Sequence, residues 1–265
     1  MSIFLRELKA HRLSLIWWCL GMASLVASGM AKYAAYKTAG QSITGLLAGL
    51  PRAVLVIFGM TGFDLAKASG FFGVLYLYIA VMAAVHASLL GANVISKEER
   101  DRTSEFLFAK PVTRGSVLTS KLLAGLFNVV VLNLATAVSS YYFVGYFGKG
   151  ESVSADVTLL MVGLLFLQLI FFSVSAAVAG IVKKPKSSPS IATSIMFTTF
   201  LLSYLVSFND KLDVLKYLSP FKYFDAATLM SDGRLDPVFV SLSVVIVAVA
   251  VFGTYRFFGA RDLSV

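Results

Sequence analysis

Six stretches of this chain run for 18 residues or more without a single Asp, Glu, Lys or Arg: Leu13–Met30, Phe71–Ile95, Leu122–Phe147, Val157–Val182, Ser190–Phe208 and Val238–Tyr255. A helix needs roughly 20 apolar residues, within a range of about 17–25, to cross the hydrocarbon core of a bilayer. Each run therefore predicts one transmembrane helix, and the chain reads as an all-α membrane protein of about six spans forming a single domain, residues 1–265.

Composition agrees with that reading. Hydrophobic residues make up 58% of the chain and charged residues 14%, with a mean hydropathy of +0.82; soluble domains carry about 25% charged residues. Most of this surface must face something other than water. The net charge of +9 does not indicate nucleic acid, because the basic residues sit between apolar runs and form no continuous face. The single cysteine, Cys19, lies in an apolar run, which excludes an intrachain disulfide and any metal site built on several cysteines.

Where the charges fall predicts the orientation. The segments on the N-terminal side of the six runs hold fourteen Lys and Arg, against nine in the longer loops on the other side. Positive residues are retained in the cytoplasm, so both termini are expected there. The Lys183–Pro189 link, KKPKSSP, reads as a basic, proline-bounded cytoplasmic turn near anionic lipid headgroups.

Three segments need separate decisions. The first run follows Arg6, Lys9 and Arg12 and is longer than the roughly 7–15 residues of a signal-peptide core, so it reads as a retained span. Residues 1–12, with apolar positions at helical spacing among charges, read as an interfacial helix lying on the cytoplasmic leaflet before the chain turns into the span. Residues 43–60 are apolar, but Pro51 and Arg52 sit at their centre and argue against a seventh span; within the extracellular loop 31–70 they read as short amphipathic helices.

The most charged loop on the cytoplasmic side, residues 96–121, reads SKEERDRTSEFLFAKPVTRGSVLTSK. Ser96 is a candidate N-cap with Glu99 as its capping-box partner. Glu98 and Arg102 form an acid-to-base pair one turn apart. Phe106, Leu107 and Phe108 make an apolar knob, Pro111 ends the helix, and a second helix begins near Thr113. Such a helical elbow suits docking into a groove on a soluble partner.

The run from Glu98 to Leu107, then Lys110-Pro111-Val112-Thr113-Arg114, then Lys121-Leu122-Leu123, resembles the signature of ABC-2 type transporter permeases. In that family an acidic pair precedes a small dipeptide, a Glu, a leucine-rich stretch, Pro-Val-Ser/Thr-Arg and a Lys-Leu-Leu; here Arg102-Thr103-Ser104 stands where the family often has Arg-Gly-Thr. Leu50-Pro51 after the first span and Arg261-Asp262-Leu263 near the end extend the likeness.

The resemblance implies a type V exporter-like transmembrane domain and a coupling helix within Ser96–Arg114. Glu98, Glu99, Arg102, Thr103, Glu105, Phe106, Pro111 and Arg114 would meet the nucleotide-binding subunit. The implied partners are an ABC ATPase, two copies per complex, carrying ATP and Mg, and a second permease copy or related permease meeting this one through spans one and five. The implied setting is the lipid of a bacterial or archaeal plasma membrane, with no nucleic acid involved.

No cofactor is expected in this chain itself. It has no P-loop pattern, and no cytoplasmic segment is long enough for a nucleotide-binding domain. It has no His-Glu-x-x-His or Gly-x-Ser-x-Gly motif either, so it is not read as an enzyme. Ion-coupled carriers place charged residues inside their spans; here His86 in the second run is the one candidate for a proton relay. Asn93, Asn128, Asn133, Gln168, Ser173, Ser175, Thr198, Thr199 and Ser203 read mostly as interhelical hydrogen-bonding groups, and the loop aspartates Asp64, Asp210, Asp213, Asp225, Asp232 and Asp236 as solvated faces.

Uncharged spans fit an amphipathic cargo such as a peptide, antibiotic or lipid-like molecule. An ATP-independent carrier or channel and a membrane sensor subunit are the alternatives. The orientation is open to direct test. In a Cys19→Ser background in intact cells, a cysteine at Ser104 should resist a membrane-impermeant thiol reagent, while one at Asp232 reacts.

Overall fold

The computed structural model describes residues 3–38, 49–101, 113–149, 151, 153–208 and 210–260. Long apolar helices dominate it, since within lipid a helix satisfies every backbone N–H and C=O internally. In chain order they are α1 (Ile3–Thr38), α2 (Arg52–Ile57), α3 (Ala68–Arg100), α4 (Arg114–Gly148), α5 (Ser154–Ile181), α6 (Ser188–Phe208), α7 (Pro220–Tyr223), α8 (Ala226–Asp232) and α9 (Pro237–Ala260). Among the described residues six helices are long and apolar enough to cross a membrane: α1, α3, α4, α5, α6 and α9. These match the six runs in number and order. Residues 49–60 supply only the short α2, which starts directly after Pro51.

The starts of α1 and α4 and the ends of α3 and α9 share one end of the bundle, here called the termini face. The start of α3 and the end of α4 lie at the opposite face. At about 1.5 Å per residue, the 36 residues of α1 span roughly 54 Å, well beyond a hydrocarbon core of about 30 Å. The expected turn between an interfacial helix and the first span is not present: α1 runs unbroken from Ile3. Neither Pro nor Gly falls between residues 3 and 20, and Glu7 is drawn fully into the bundle, which holds the first turns in line with the rest.

α3 and α5 form the centre, each with 61% of its apolar stretch buried, against 11% for α9. α3 packs chiefly on α5, α1 on α4, α9 on α5, and α6 on α3. Lipid supplies no hydrophobic drive between spans, so close van der Waals fit decides the packing. A Cβ at Gly91 of α3 would lie 2.2 Å from the Phe172 carbonyl oxygen of α5, and one at Gly125 of α4 would lie 2.4 Å from the Phe172 ring. Three helices thus converge on Phe172. His86 is buried in this packing and meets Trp18 of α1 edge-on at 5.2 Å.

The polar residues of the spans mostly serve their own helices, a correction to the expectation of interhelical bonding. Asn128 donates to the Ala124 carbonyl, Ser173 to Ile170, Thr198 to Ser194, Thr199 to Met196 and Ser203 to Phe200. Asn133 of α4 does cross to α5, donating to the Met161 carbonyl at 3.1 Å and to Gln168 Oε1 at 3.2 Å.

At the opposite face a polar staple joins α1, α3 and the link between α4 and α5. Glu151 accepts from the Ala68 backbone N–H at 2.8 Å, a carboxylate set against the positive end of α3. Its other oxygen accepts from the Tyr33 hydroxyl at 3.4 Å and lies 3.8 Å from Lys37 Nζ. The segment after α6, read from sequence as solvated loop, instead forms a 3-10 helix over Asp210–Leu218 and then α7 and α8. It turns Phe221 onto Phe171 and Phe200, and Phe224 onto Phe166. Asp225 there caps α8, accepting from the Thr228 N–H.

Gly91→Val pushes its side chain into backbone and should lower stability by about 1–3 kcal/mol. Gly21→Ala meets nothing within 4 Å and should leave the melting temperature in detergent unchanged.

Candidate functional site

The charged side chains at the termini face converge on one buried point. Val94 and Glu98 lie one turn apart on α3, facing Leu118, Lys121 and Gly125 of α4; the closeness of the two helices shows in Val94 Cγ2, which would stand 3.6 Å from a Cβ at Gly125. Lys121 therefore projects straight at Glu98. Its ammonium lies 2.7 Å from both Glu98 carboxylate oxygens and donates to the Val94 carbonyl at 2.8 Å, which fills the three donor directions of a lysine.

Glu7 of α1 closes the cluster. One of its oxygens lies 3.7 Å from Lys121 Nζ and 3.3 Å from the Arg6 guanidinium. The other lies 3.9 Å from His11 Nε2 and 4.0 Å from Lys97 Nζ. Arg6 also reaches Glu98 at 3.5 Å. Glu7 is 0% exposed, Lys121 1% and Glu98 7%. Charges so deeply buried persist only when paired, because an isolated one carries a desolvation penalty of several kcal/mol. The network thus locks the ends of three helices to one another.

This cluster stands at the root of the charged elbow. Of the residues expected to meet a partner, Glu98 points inward to Lys121. Glu99 is half-buried and Arg114 exposed. Arg102, Thr103, Glu105, Phe106 and Pro111 lie outside the described residues. Ser96 does not cap a new helix; α3 continues through it to Arg100, and its hydroxyl donates to the Ala92 carbonyl at 2.8 Å. The physical reason is that Val94, Glu98 and Lys121 need α3 helical up to that depth to meet at all.

The second helix begins as expected. Thr113 caps α4, its hydroxyl accepting from the Ser116 N–H at 3.2 Å. Two contacts then tie this start to the end of α9: Arg114 donates to the Gly259 carbonyl at 3.3 Å, and Thr119 and Tyr255 share a hydrogen bond of 2.7 Å. At the other edge of the elbow, Arg100 donates to Asn93 Oδ1 at 2.7 Å and to Asp101 at 3.1 Å. The two helix ends that flank residues 102–112 are therefore tied into α1, α3, α4 and α9 together.

Glu7, His11, Lys97 and Lys121 were not singled out as partners from sequence. A signal for Glu7 exists: it is an acid inside the basic stretch Arg6 to Arg12, a sign of a local pairing need.

A family model described as ABC-2 family transporter protein matches residues 1–263. The chain belongs to the ABC-2 transporter family. No curated protein sequence matches it. Proteins of the ABC-2 family are membrane transport subunits without a nucleotide-binding site of their own, and they generally work with an ABC ATPase. The signature that carried the resemblance, Glu98 to Leu123, coincides with the elbow and its buried root.

Lys121→Met leaves two buried carboxylates without their central cation and should cost about 3–5 kcal/mol. The double variant Glu98→Gln, Lys121→Gln should recover part of that loss. Unfolding of the purified protein in detergent measures both, and a single variant as stable as the parent would rule out a buried ion pair here.

Proposed function

We propose that this ABC-2 protein is the membrane subunit of an exporter driven by ATP hydrolysed on a separate ABC ATPase. The termini face is cytoplasmic, and the elbow between α3 and α4 seats in a groove of that ATPase. The observation that carries the reading is the Glu7–Lys121–Glu98 cluster. A force on the elbow acts on α3 and α4, and the shared carboxylates pass it to α1 without slack, because stretching a buried ion pair costs more than moving the helices together. Arg114 and Thr119 hand the same displacement to α9.

Glu98 holds the elbow's root, whereas Glu99 and Arg114, with Arg102, Thr103, Glu105, Phe106 and Pro111, meet the ATPase surface. ATP and Mg bind on that partner, two copies of which serve a pair of permeases. The pairing surface is supported by the exposed apolar faces of α1, with Leu13, Ile16, Trp17 and Leu20, and of α6, with Ile191, Ile195, Leu201 and Leu205. Six spans per subunit are few to enclose a path, so two subunits line it. The uncharged spans suit an amphipathic cargo moved across a bacterial or archaeal plasma membrane.

Affinity purification in mild detergent should bring down an ABC ATPase, and a cysteine at Glu99 or Arg114 should crosslink to it. The double variant Glu98→Gln, Lys121→Gln should keep the ATPase bound while transport per ATP hydrolysed falls about 5- to 100-fold, the range of a lost coupling free energy. Preparations that stay free of any ATPase, or a variant with unchanged transport per ATP, would defeat the proposal.

A further inference from the structure

The face opposite the termini contains a cavity of about 250 Å³ between α3, α6 and the corner formed by α7 and α8. One side of α3 makes its wall, with Gly73, Tyr76, Leu77 and Ala80 at helical spacing. Across from them stand Phe221 and Phe224, held in place by their stacking on α5 and α6. The volume is at the small end of those that hold organic ligands.

The decisive group is Tyr76. Its side chain is 3% exposed, and its hydroxyl has no hydrogen-bond partner. A buried phenol usually finds one, and leaving it unpaired is unfavourable. Three other hydroxyls on the wall are committed: Tyr204 donates to the Ile57 carbonyl at 2.9 Å, Ser203 to Phe200 at 2.6 Å and Ser207 to Ser203 at 3.0 Å, while Thr61 is exposed.

A second donor lines the same cavity. Lys222 faces Asp225 at 3.5 Å, and an ammonium with three N–H groups keeps capacity for a further acceptor. Asp225 is itself engaged with Thr228 through its Oδ2. The cavity thus presents two donors, one neutral and one cationic, with the Asp225 carboxylate whose charge Lys222 balances, beside the apolar side chains of Leu77, Ala80 and Leu167.

We propose that this cavity binds a small amphiphile whose oxygen-rich head, a carboxylate, accepts from Tyr76 and Lys222 while its short alkyl body lies on those apolar side chains. Bound there, the ligand adds a bridge between α3 and the α7 and α8 corner beside the direct packing of α8 on α3. This site is separate from the coupling cluster, and its test needs no ATPase.

The probe is 8,8,8-trifluorooctanoate, followed by 19F NMR with the full chain in phosphatidylcholine nanodiscs, against empty nanodiscs. Saturable binding to the parent protein is expected. Tyr76→Phe should weaken it about ten- to hundredfold, the worth of a hydrogen bond to a charged group, and Lys222→Met should weaken it further. The corresponding alcohol should respond to Tyr76→Phe but not to Lys222→Met.

Tyr76→Phe removes only the orphan hydroxyl, so the ligand-free variant should melt no lower than the parent. Absence of saturable binding, equal affinity in all three proteins, or a lower melting temperature for ligand-free Tyr76→Phe would each overturn the assignment.

Discussion

Lys121 is almost entirely shielded from water, and an ammonium in such a place needs carboxylates against it, here those of Glu98 and Glu7. That requirement shapes the termini face. It fixes the register of α3 against α4, since Glu98 must arrive opposite Lys121. It also keeps α1 helical back to its first turns, since Glu7 must reach the same point. A buried ion pair adds little net stability over a well-packed apolar replacement, so stability is a weak reason for its presence. What it supplies is a fixed geometry between three helix ends at the site where the family signature falls.

The two ends of α1 are held by different chemistry. At the termini face the contact is a dense, buried charge cluster; at the opposite face Tyr33 and Lys37 meet Glu151 at 3.4 and 3.8 Å, with Lys37 exposed to solvent. Exposed pairs of the second kind contribute little, about 0–1 kcal/mol. α1 is therefore held by buried charges at the termini face and, at its far end, by the buried Tyr33, whose hydroxyl also donates to the Ala66 carbonyl at 3.1 Å. α6 and α9 sit outside the packed centre, with 22% and 11% of their apolar stretches buried, and their exposed faces are free to meet lipid or another subunit.

Span number and order were legible because the bilayer imposes a length and a polarity on each helix independently of its neighbours. The cap at Thr113 was legible for a similar reason, being a contact within three residues. The Glu98 partner was not. Helical spacing offers neighbours one turn away, such as Arg102, whereas Lys121 lies 23 residues further along and comes close only once α3 and α4 pack. Ser96 misled in the same manner: Ser followed three residues later by Glu matches a capping box, yet a serine hydroxyl bonds equally well to the carbonyl four residues back when packing prolongs the helix. The structured α7 and α8 were missed because their apolar residues are too few for a span and gain their order from Phe171, Phe166 and Phe200 on other helices.

The distribution of polar groups separates the parts that must hold from the parts able to shift. Within the spans most Ser and Thr hydroxyls turn back on their own helices, while Asn133 and Tyr141 of α4 cross to α5, so neighbouring helices there touch mainly through apolar surface and small residues such as Gly91 and Gly125. Surfaces of that kind slide or tilt without breaking a hydrogen bond. At the helix ends the bonds run between helices and are charged. The bundle thus combines stiff joints at the termini face with more compliant contacts along the spans, so a force applied at the helix ends would collect deformation where resistance is least.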